Sequence, residues 1–129
     1  MCQLVPVKTN FNTEIEVADI KKDVIENIIK AAGVCTKICQ IILFGSVIES
    51  RCTEDSDVDM LVISDISRSR LYKDKGYQEF LKRLHDRDDY EQLYDVICVN
   101  GMEEIYRHCD KNSLFQEVLG CGKTLYRRI

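Results

Sequence analysis

Three aspartates and one Gly-Ser pair are the residues of this chain whose types and spacing could do chemistry. Gly45 and Ser46 follow an apolar run, and ten residues separate Ser46 from Asp57, with Asp59 two positions later. Another carboxylate, Asp95, lies inside a later apolar run. Carboxylates are hard oxygen ligands for Mg²⁺ or Mn²⁺, and a glycine turn with a hydroxyl and free amides can hold phosphate. The pattern therefore predicts a site for divalent metal and a phosphate chain.

Strand geometry predicts that the carboxylates share this site. Side chains at positions i and i+2 of a strand point to one face, so Asp57 and Asp59 should project side by side. Two such charges repel each other unless a cation lies between them. If the strand that holds Asp95 is their neighbour, all three carboxylates meet at one end of the sheet. The alternative, a solvated acidic loop over residues 54–59, leaves Asp95 as an unused charge in an apolar run, which is costly.

Two other motifs fail on their spacing. A calcium-binding EF-hand loop beginning at Asp55 would need glycine at Met60 and glutamate at Ile66. Residues 122–124 (GKT) look like the end of a P-loop, but the first glycine of that motif would fall at Glu117. A helix is also predicted before this segment, where a P-loop requires a strand.

Hydrophobic periodicity predicts helices that alternate with strands. Helices are predicted over 20–32, 46–51, 77–84 and 113–120, with another around Ile105, and strands over 38–44, 57–63, about 92–99 and 122–126. Residues 1–18 are expected to be only partly ordered, except where they pack on the domain, and residues 86–89 to form a charged turn. This order predicts an α/β (α+β) domain with a small mixed β-sheet and flanking helices.

Three polar residues are predicted to cap helices. Ser46 would cap the short helix after the first strand and place its hydroxyl at the positive helix end. Asn100 would cap the helix that contains Ile105. Ser113 and Gln116 have the spacing of a capping box at the start of the last helix.

Size and composition fit one domain over residues 1–129, with a core of about 19–126. The net charge of −4 argues against a general nucleic-acid binder. Cysteines lie in or beside apolar segments and no secretory signal begins the chain, so a reduced, cytoplasmic protein is expected. A zinc site at Cys35 and Cys39 lacks further ligands nearby. No apolar run approaches the roughly 20 residues of a membrane span, so no membrane partner is expected.

The Gly-Ser pair, the Asp57-x-Asp59 motif and the later Asp95 together resemble the signature of the DNA polymerase β-like nucleotidyltransferase superfamily. The short chain and the segment 54–62 (EDSDVDMLV) look most like its minimal nucleotidyltransferases. The resemblance covers about residues 38–99 well. The three-part pattern is specific, whereas any one part alone would be a weak signal.

The resemblance implies a polymerase β-like fold and a nucleotidyltransferase that uses Mg²⁺ or Mn²⁺. Asp57 and Asp59 would bind the metals that hold the nucleoside triphosphate. Asp95 would bind the catalytic metal and help to deprotonate the acceptor hydroxyl, while Gly45 and Ser46 would hold the terminal phosphates. The acceptor would attack the α-phosphate of a nucleoside triphosphate, take AMP from ATP or another NMP, and release pyrophosphate.

The stretch after the Gly-Ser pair departs from the pattern of the minimal members, G-S-R-A-R-G. Val47 and Glu49 stand where arginines are typical, and Ser50 replaces the glycine. Glu49 would bring negative charge near the triphosphate. Arg51 offers a positive charge from a shifted position.

Three functions are compatible with the resemblance. The first is an enzyme that modifies a hydroxyl on a partner protein, because 129 residues leave no room for a separate acceptor-binding domain. The second is an antitoxin-type module that neutralises a HEPN-domain toxin mainly by contact, and the third is adenylylation of a small molecule such as an aminoglycoside. Tyr72, Tyr77 and Tyr106 leave a homo-oligomer open, although a core position explains Tyr77 equally well.

Overall fold

Six strands and five α-helices lie within residues 2–86 and 91–128, which the computed structural model describes. The strands are β1 (Leu4–Lys8), β2 (Glu14–Ala18), β3 (Ile38–Phe44), β4 (Val58–Ser64), β5 (Tyr94–Asn100) and β6 (Lys123–Arg127). The helices are α1 (Lys22–Ala32), α2 (Arg68–Lys73), α3 (Lys75–Asp86), α4 (Met102–His108) and α5 (Ser113–Cys121). Short 3-10 turns lie at Asp19–Lys21, Gly45–Ile48 and Cys109–Lys111.

The centre of the molecule is a four-stranded mixed sheet in the order β5-β4-β3-β6. β3 runs antiparallel to both β4 and β6, whereas β4 and β5 are parallel. Parallel neighbours need a crossover connection, and α2 and α3 provide it here. The predicted mixed sheet with flanking helices is confirmed.

Alternate residues of the central strands bury opposite faces of the sheet. One face packs against α1 and α3 through a cluster that includes Ile41, Leu43, Met60, Val62, Ile28 and Phe80. The other face packs against α4 and α5 through Ile42, Phe44, Leu61, Ile63, Ile105, Phe115 and Val118. Each fully buried side chain of this kind contributes about 1.5–3 kcal/mol, so both faces hold the sheet in place.

The N-terminal segment is an ordered hairpin, so the expectation that residues 1–18 are only partly ordered is wrong. β1 and β2 pair antiparallel, and Asn12 takes a left-handed φ of 63° in the turn between them. Val7 and Val17 are 2% and 0% exposed and belong to the core, although both precede the predicted core limit at residue 19. The inward-facing Ile15 and Val17 alternate with the exposed Glu14 and Glu16, so the strand pattern of β2 is present in the sequence, although it is short.

Two helix starts differ from the predicted caps. Asn100 remains the last residue of β5, and Gly101, with a φ of 81°, precedes α4. Asn112 caps α5 in place of Ser113, because its side chain accepts a hydrogen bond from the Phe115 amide at 3.1 Å. Both caps lie one residue from the predicted position, which is the usual uncertainty of helix boundaries.

The structure also bears on the predicted turn, the aromatic residues and the hydrophobic segments. Beyond Asp86, most of the predicted turn over residues 86–89 lies outside the described residues. Tyr77 is buried in the core, while Tyr72 and Tyr106 are exposed. None of the helices that the structure describes is both long and apolar enough to cross a membrane.

Candidate active site

Asp59 and Asp95 lie opposite each other on neighbouring strands. They are register partners in the parallel pair of β4 and β5, and each is the second residue of its strand. The Val58 amide donates to the Leu93 carbonyl at 3.0 Å, which holds the strand ends together. Asp57 immediately precedes β4. The neighbouring strands that the sequence analysis required are therefore present.

The environment of Asp59 is strongly acidic. Asp59 is half-buried, and this burial raises the pKa of its carboxyl group, as do the negative charges of Asp95 and Asp57. Glu117 on α5 raises the pKa of Asp59 further, while Arg51 lowers it. Four carboxylates and one guanidinium group therefore influence one another at this end of the sheet.

Gly45 gives the Asp59 carboxylate its place. Its φ of 76° lies in the left-handed region, and a Cβ built on it would lie 2.3 Å from Oδ2 of Asp59. Phe44, the last residue of β3, is the register partner of Asp59, so the chain turns at Gly45 directly beside that carboxylate. Glycine suits this position because it adopts a positive φ without strain and has no Cβ to clash with the carboxylate.

Ser46 lies in the 3-10 turn Gly45–Ile48, so the predicted helix over 46–51 is wrong in type and length. Phe44 holds the position before this turn and no side chain caps it, so the prediction that Ser46 is an N-cap is also wrong. The Ser46 carbonyl accepts a hydrogen bond from the Glu49 amide at 2.9 Å. The Ser46 side chain is half-exposed, one residue beyond the glycine that contacts Asp59.

Glu49 and Arg51 form an ion pair just after this turn. Nε of Arg51 lies 2.5 Å from Oε2 of Glu49, and both side chains are exposed. The hydrogen bond from Arg51 lowers the pKa of the Glu49 carboxyl group. Arg51 also interacts electrostatically with Asp59 and Glu117, so its positive charge reaches the acidic end of the sheet.

The prediction that Asp57, Asp59 and Asp95 share one metal ion stays a prediction. Within residues 2–86 and 91–128, no group of three histidine, cysteine, aspartate or glutamate side chains is arranged to hold a metal ion. The structure does bring Asp59 beside Asp95 and Gly45, and it brings Asp57 within electrostatic range of Asp59.

Sequence reasoning missed Glu117. It is exposed on α5 between the buried Phe115 and Val118, and such a position looks like any solvated helix face. Its approach to Asp59 depends on how α5 packs across the sheet, which the local sequence does not encode.

Comparisons with known proteins bear on the family and the fold of this chain. The family described as polymerase beta, nucleotidyltransferase matches residues 26–128. A comparison with curated proteins gave no match. Among solved structures, the toxin-antitoxin MntA-HpeT in a mutant form is similar, with a TM-score of 0.50 and 18% identity over 81% of this chain and 73% of that chain. At that identity the likeness concerns the fold.

The family match includes the Gly-Ser pair and all three aspartates of the candidate site. It spans most of the chain. The resemblance found in the sequence is thereby confirmed: the chain belongs to the polymerase β nucleotidyltransferase family.

Proposed function

We propose that this chain transfers AMP from ATP to a hydroxyl group on a partner protein. The observation that carries the proposal is the register of Asp59 opposite Asp95, beside the tight turn at Gly45. Membership of the family supports nucleotidyl transfer in general. ATP as the nucleotide donor, Mg²⁺ or Mn²⁺ as the metal and a protein hydroxyl as the acceptor are proposed in addition to this general activity.

The carboxylates at this end of the sheet are of the chemical type that Mg²⁺ or Mn²⁺ prefers, although, among the residues that the structure describes, three of them are not gathered around one point. The donor set would be the carboxylates of Asp57, Asp59 and Asp95, and these hard oxygen ligands suit both ions. Burial and the negative charges of Asp95 and Asp57 raise the pKa of Asp59, and a bound cation would relieve the repulsion among these carboxylates. When bound, such a metal would supply Lewis-acid polarisation of phosphate oxygens and neutralise developing charge.

The residues of the chain itself would bind and orient the reactants. The Ser46 hydroxyl and the amides of its turn would hold the terminal phosphate oxygens of ATP. Asp95, exposed on the edge strand β5, would accept the proton of the acceptor hydroxyl. The acceptor oxygen would then bond to the α-phosphorus, and the bond to the bridging oxygen would break, so that pyrophosphate leaves.

A protein partner is favoured over a small acceptor. Within the described residues, the elements are the central sheet, its helices and the hairpin β1–β2, and none of them forms a separate acceptor-binding unit. The similar fold is found in the structure of the toxin-antitoxin MntA-HpeT. We therefore choose a HEPN-domain toxin as the partner to be tested, with an aminoglycoside as the small-molecule alternative.

The second candidate function is an antitoxin that acts mainly by contact. The observation that favours it is Glu49, whose negative charge occupies Arg51 next to the turn proposed for phosphate. Under this alternative, the carboxylates would be dispensable for neutralising the partner.

Labelled ATP distinguishes these functions. With Mg²⁺ and the candidate partner, the wild-type protein should place labelled AMP on the partner, and Asp95→Asn should abolish the labelling. Asp110→Asn, which changes an exposed aspartate in a 3-10 turn, is the matched control and should label normally. Neutralisation of the partner without labelling, retained in Asp95→Asn, would favour the contact function.

Glu49→Gln should tighten the binding of Mg²⁺-ATP about two- to fivefold, since exposed ion pairs have small effects. The change removes a negative charge near the phosphates and releases Arg51 from its partner. Arg51→Gln should weaken binding by a similar factor. Titration calorimetry at low salt measures both, and the differences should shrink as salt screens the charges.

The matched control for this pair is Glu14→Gln, an exposed glutamate on the hairpin strand β2. It changes the net charge equally and should leave Mg²⁺-ATP affinity unchanged. Equal affinities for Glu49→Gln and the wild type would show that Arg51 does not reach the nucleotide.

A further inference from the structure

Lys21 is a buried lysine, only 3% exposed, in the 3-10 turn before α1. Lysines are almost never buried to this extent unless their ammonium group is partnered. Here Nζ donates to the Glu54 carbonyl at 2.9 Å and to Oε1 of Gln92 at 2.7 Å. One ammonium group thus joins the loop before β4 to the segment before β5.

Gln92 extends this connection, and it is itself only 8% exposed. Its Nε2 donates to the Ser56 carbonyl at 3.2 Å and to the Leu93 carbonyl at 2.7 Å. Ser56 directly precedes Asp57 in the sequence, and Leu93 is two residues before Asp95. The side chains of Lys21 and Gln92 therefore bond to the backbone on both approaches to the carboxylates.

From this geometry we propose that Lys21 and Gln92 are positioning residues that fix the separation of Asp59 from Asp95. β5 is an edge strand, so backbone hydrogen bonds to a neighbouring strand hold its first residues on one side only. Strand ends of this kind open most easily, because few contacts oppose the opening. A buried network across both approaches opposes it. The catalytic consequence rests on the proposed function, whereas the connection between the strand ends does not.

The positive charge of Lys21 also has a use here. A cleft beside the network is lined by Lys21 together with Glu54, Asp55 and Glu91. The ammonium group offsets the repulsion among these acidic residues, which a neutral side chain of the same length would not do. Methionine at position 21 would keep the apolar stem and lose both the charge and the two hydrogen bonds.

The test compares Lys21→Met, Gln92→Leu and the double variant with Lys22→Met, which changes the exposed lysine next in the chain. Binding of Mn²⁺, followed by electron paramagnetic resonance, should weaken about tenfold or more in Lys21→Met, as expected for lost hydrogen bonds to a charged group. The kcat should fall by a similar factor of about ten, with the KM for ATP within about twofold of wild type.

The double variant should be little worse than either single variant, because residues in one network are coupled. Lys22→Met should match the wild type in every measurement. Additive losses in the double variant would overturn the proposal, since they would mean that the two side chains act separately.

Hydrogen exchange provides a readout that does not depend on activity. The Val58 amide, which donates to Leu93, should exchange faster in Lys21→Met, while the Leu61 amide in the middle of β4 should stay protected. Equal acceleration at both amides would indicate general destabilisation and would overturn the proposal. Unchanged Mn²⁺ affinity, kcat and Val58 exchange in Lys21→Met would do the same.

Failure of the proposed function gives a different result. A wild-type protein that neither binds Mn²⁺ nor transfers AMP contradicts that function and the catalytic role of Lys21 with it. The exchange of Val58 then still decides whether Lys21 holds the two strand ends together.

Discussion

Asp59→Asn should abolish nucleotidyl transfer and at the same time stabilise the metal-free protein. A bound metal supplies several kcal/mol of transition-state stabilisation, so loss of this ligand should lower kcat by about a thousandfold or more. The stability gain has another origin. Asp59 is a half-buried carboxylate whose pKa is raised by burial and by the charges of Asp95 and Asp57.

The sign of the stability effect follows from proton linkage. Because the pKa of Asp59 is higher in the folded protein than in the unfolded chain, the folded state binds this proton more tightly. Stability from Asp59 is therefore lost as the pH rises from the unfolded value of about 3.9 through the raised folded pKa. The advantage of asparagine should grow across that interval and become constant at higher pH.

Thermal unfolding in EDTA, measured from acidic to neutral pH, checks this prediction. Asp110→Asn, the exposed control, should show no such gain. Addition of Mg²⁺ and ATP should stabilise the wild type and have little effect on Asp59→Asn, because only a bound ligand shifts the unfolding equilibrium. A lower melting temperature for Asp59→Asn in EDTA at neutral pH would contradict the electrostatic account of the site.

The strands that carry the site were predictable because each is a short apolar run with a clear polar or glycine boundary. β3 covers 38–44 as predicted, and β4 is shifted by one residue from the predicted 57–63. The apolar residues of these runs are buried on both faces of the sheet, which gives an unambiguous signal. The spacing of the family motif then indicated the site residues, which hydrophobic periodicity could not do.

The acidic residue Asp95 shows where local reasoning was incomplete. An apolar run around it suggested a costly buried charge, yet Asp95 is exposed near the start of β5, which is an edge strand. The position of a strand within a sheet depends on long-range pairing, so the run alone could not give the exposure of its members. Register pairing with Asp59 is what brings Asp95 beside the other residues of the candidate site.

Side chains that reach the site from distant segments could not be predicted from the sequence either. Lys21 looks like one of many lysines around an amphipathic helix, and Glu117 looks like a solvated position on another. The role of each depends on packing between elements that are far apart in the chain. The predicted helix over 46–51 was wrong for a related reason. Gly45 has a left-handed φ where the chain turns beside Asp59, and Asp59 lies on a different strand.

Gly45→Ala should lower the rate of transfer about a hundredfold or more, because a displacement of about 1 Å at a reacting group has an effect of this size on the rate. Unlike Asp59→Asn, it should also destabilise the protein. Two costs combine at this position. The left-handed backbone costs a residue with a Cβ about 1–2 kcal/mol. The new methyl group would also meet Oδ2 of Asp59 at 2.3 Å, so that carboxylate must move, and overpacking of this kind costs about 1–3 kcal/mol more.

Gly101→Ala separates the two costs. Gly101 also has a positive φ, of 81°, but nothing lies within 4 Å of a Cβ built there. In denaturant unfolding, Gly101→Ala should therefore lower the free energy of unfolding by about 1–2 kcal/mol, from backbone strain alone. The rate of nucleotidyl transfer should be unaffected.

A double-mutant cycle with Asp59→Ala gives the same separation inside the site. Without the carboxylate, the contact nearest to a Cβ at Gly45 is the Cβ of residue 59 at 3.5 Å, an ordinary van der Waals distance. Gly45→Ala should then cost only the backbone strain, and the coupling between the two changes should equal the relieved clash. If Gly45→Ala costs the same in both backgrounds and no more than Gly101→Ala, then Gly45 does not hold the Asp59 carboxylate in place. Asp59 would in that case owe its orientation to β4 and β5 alone.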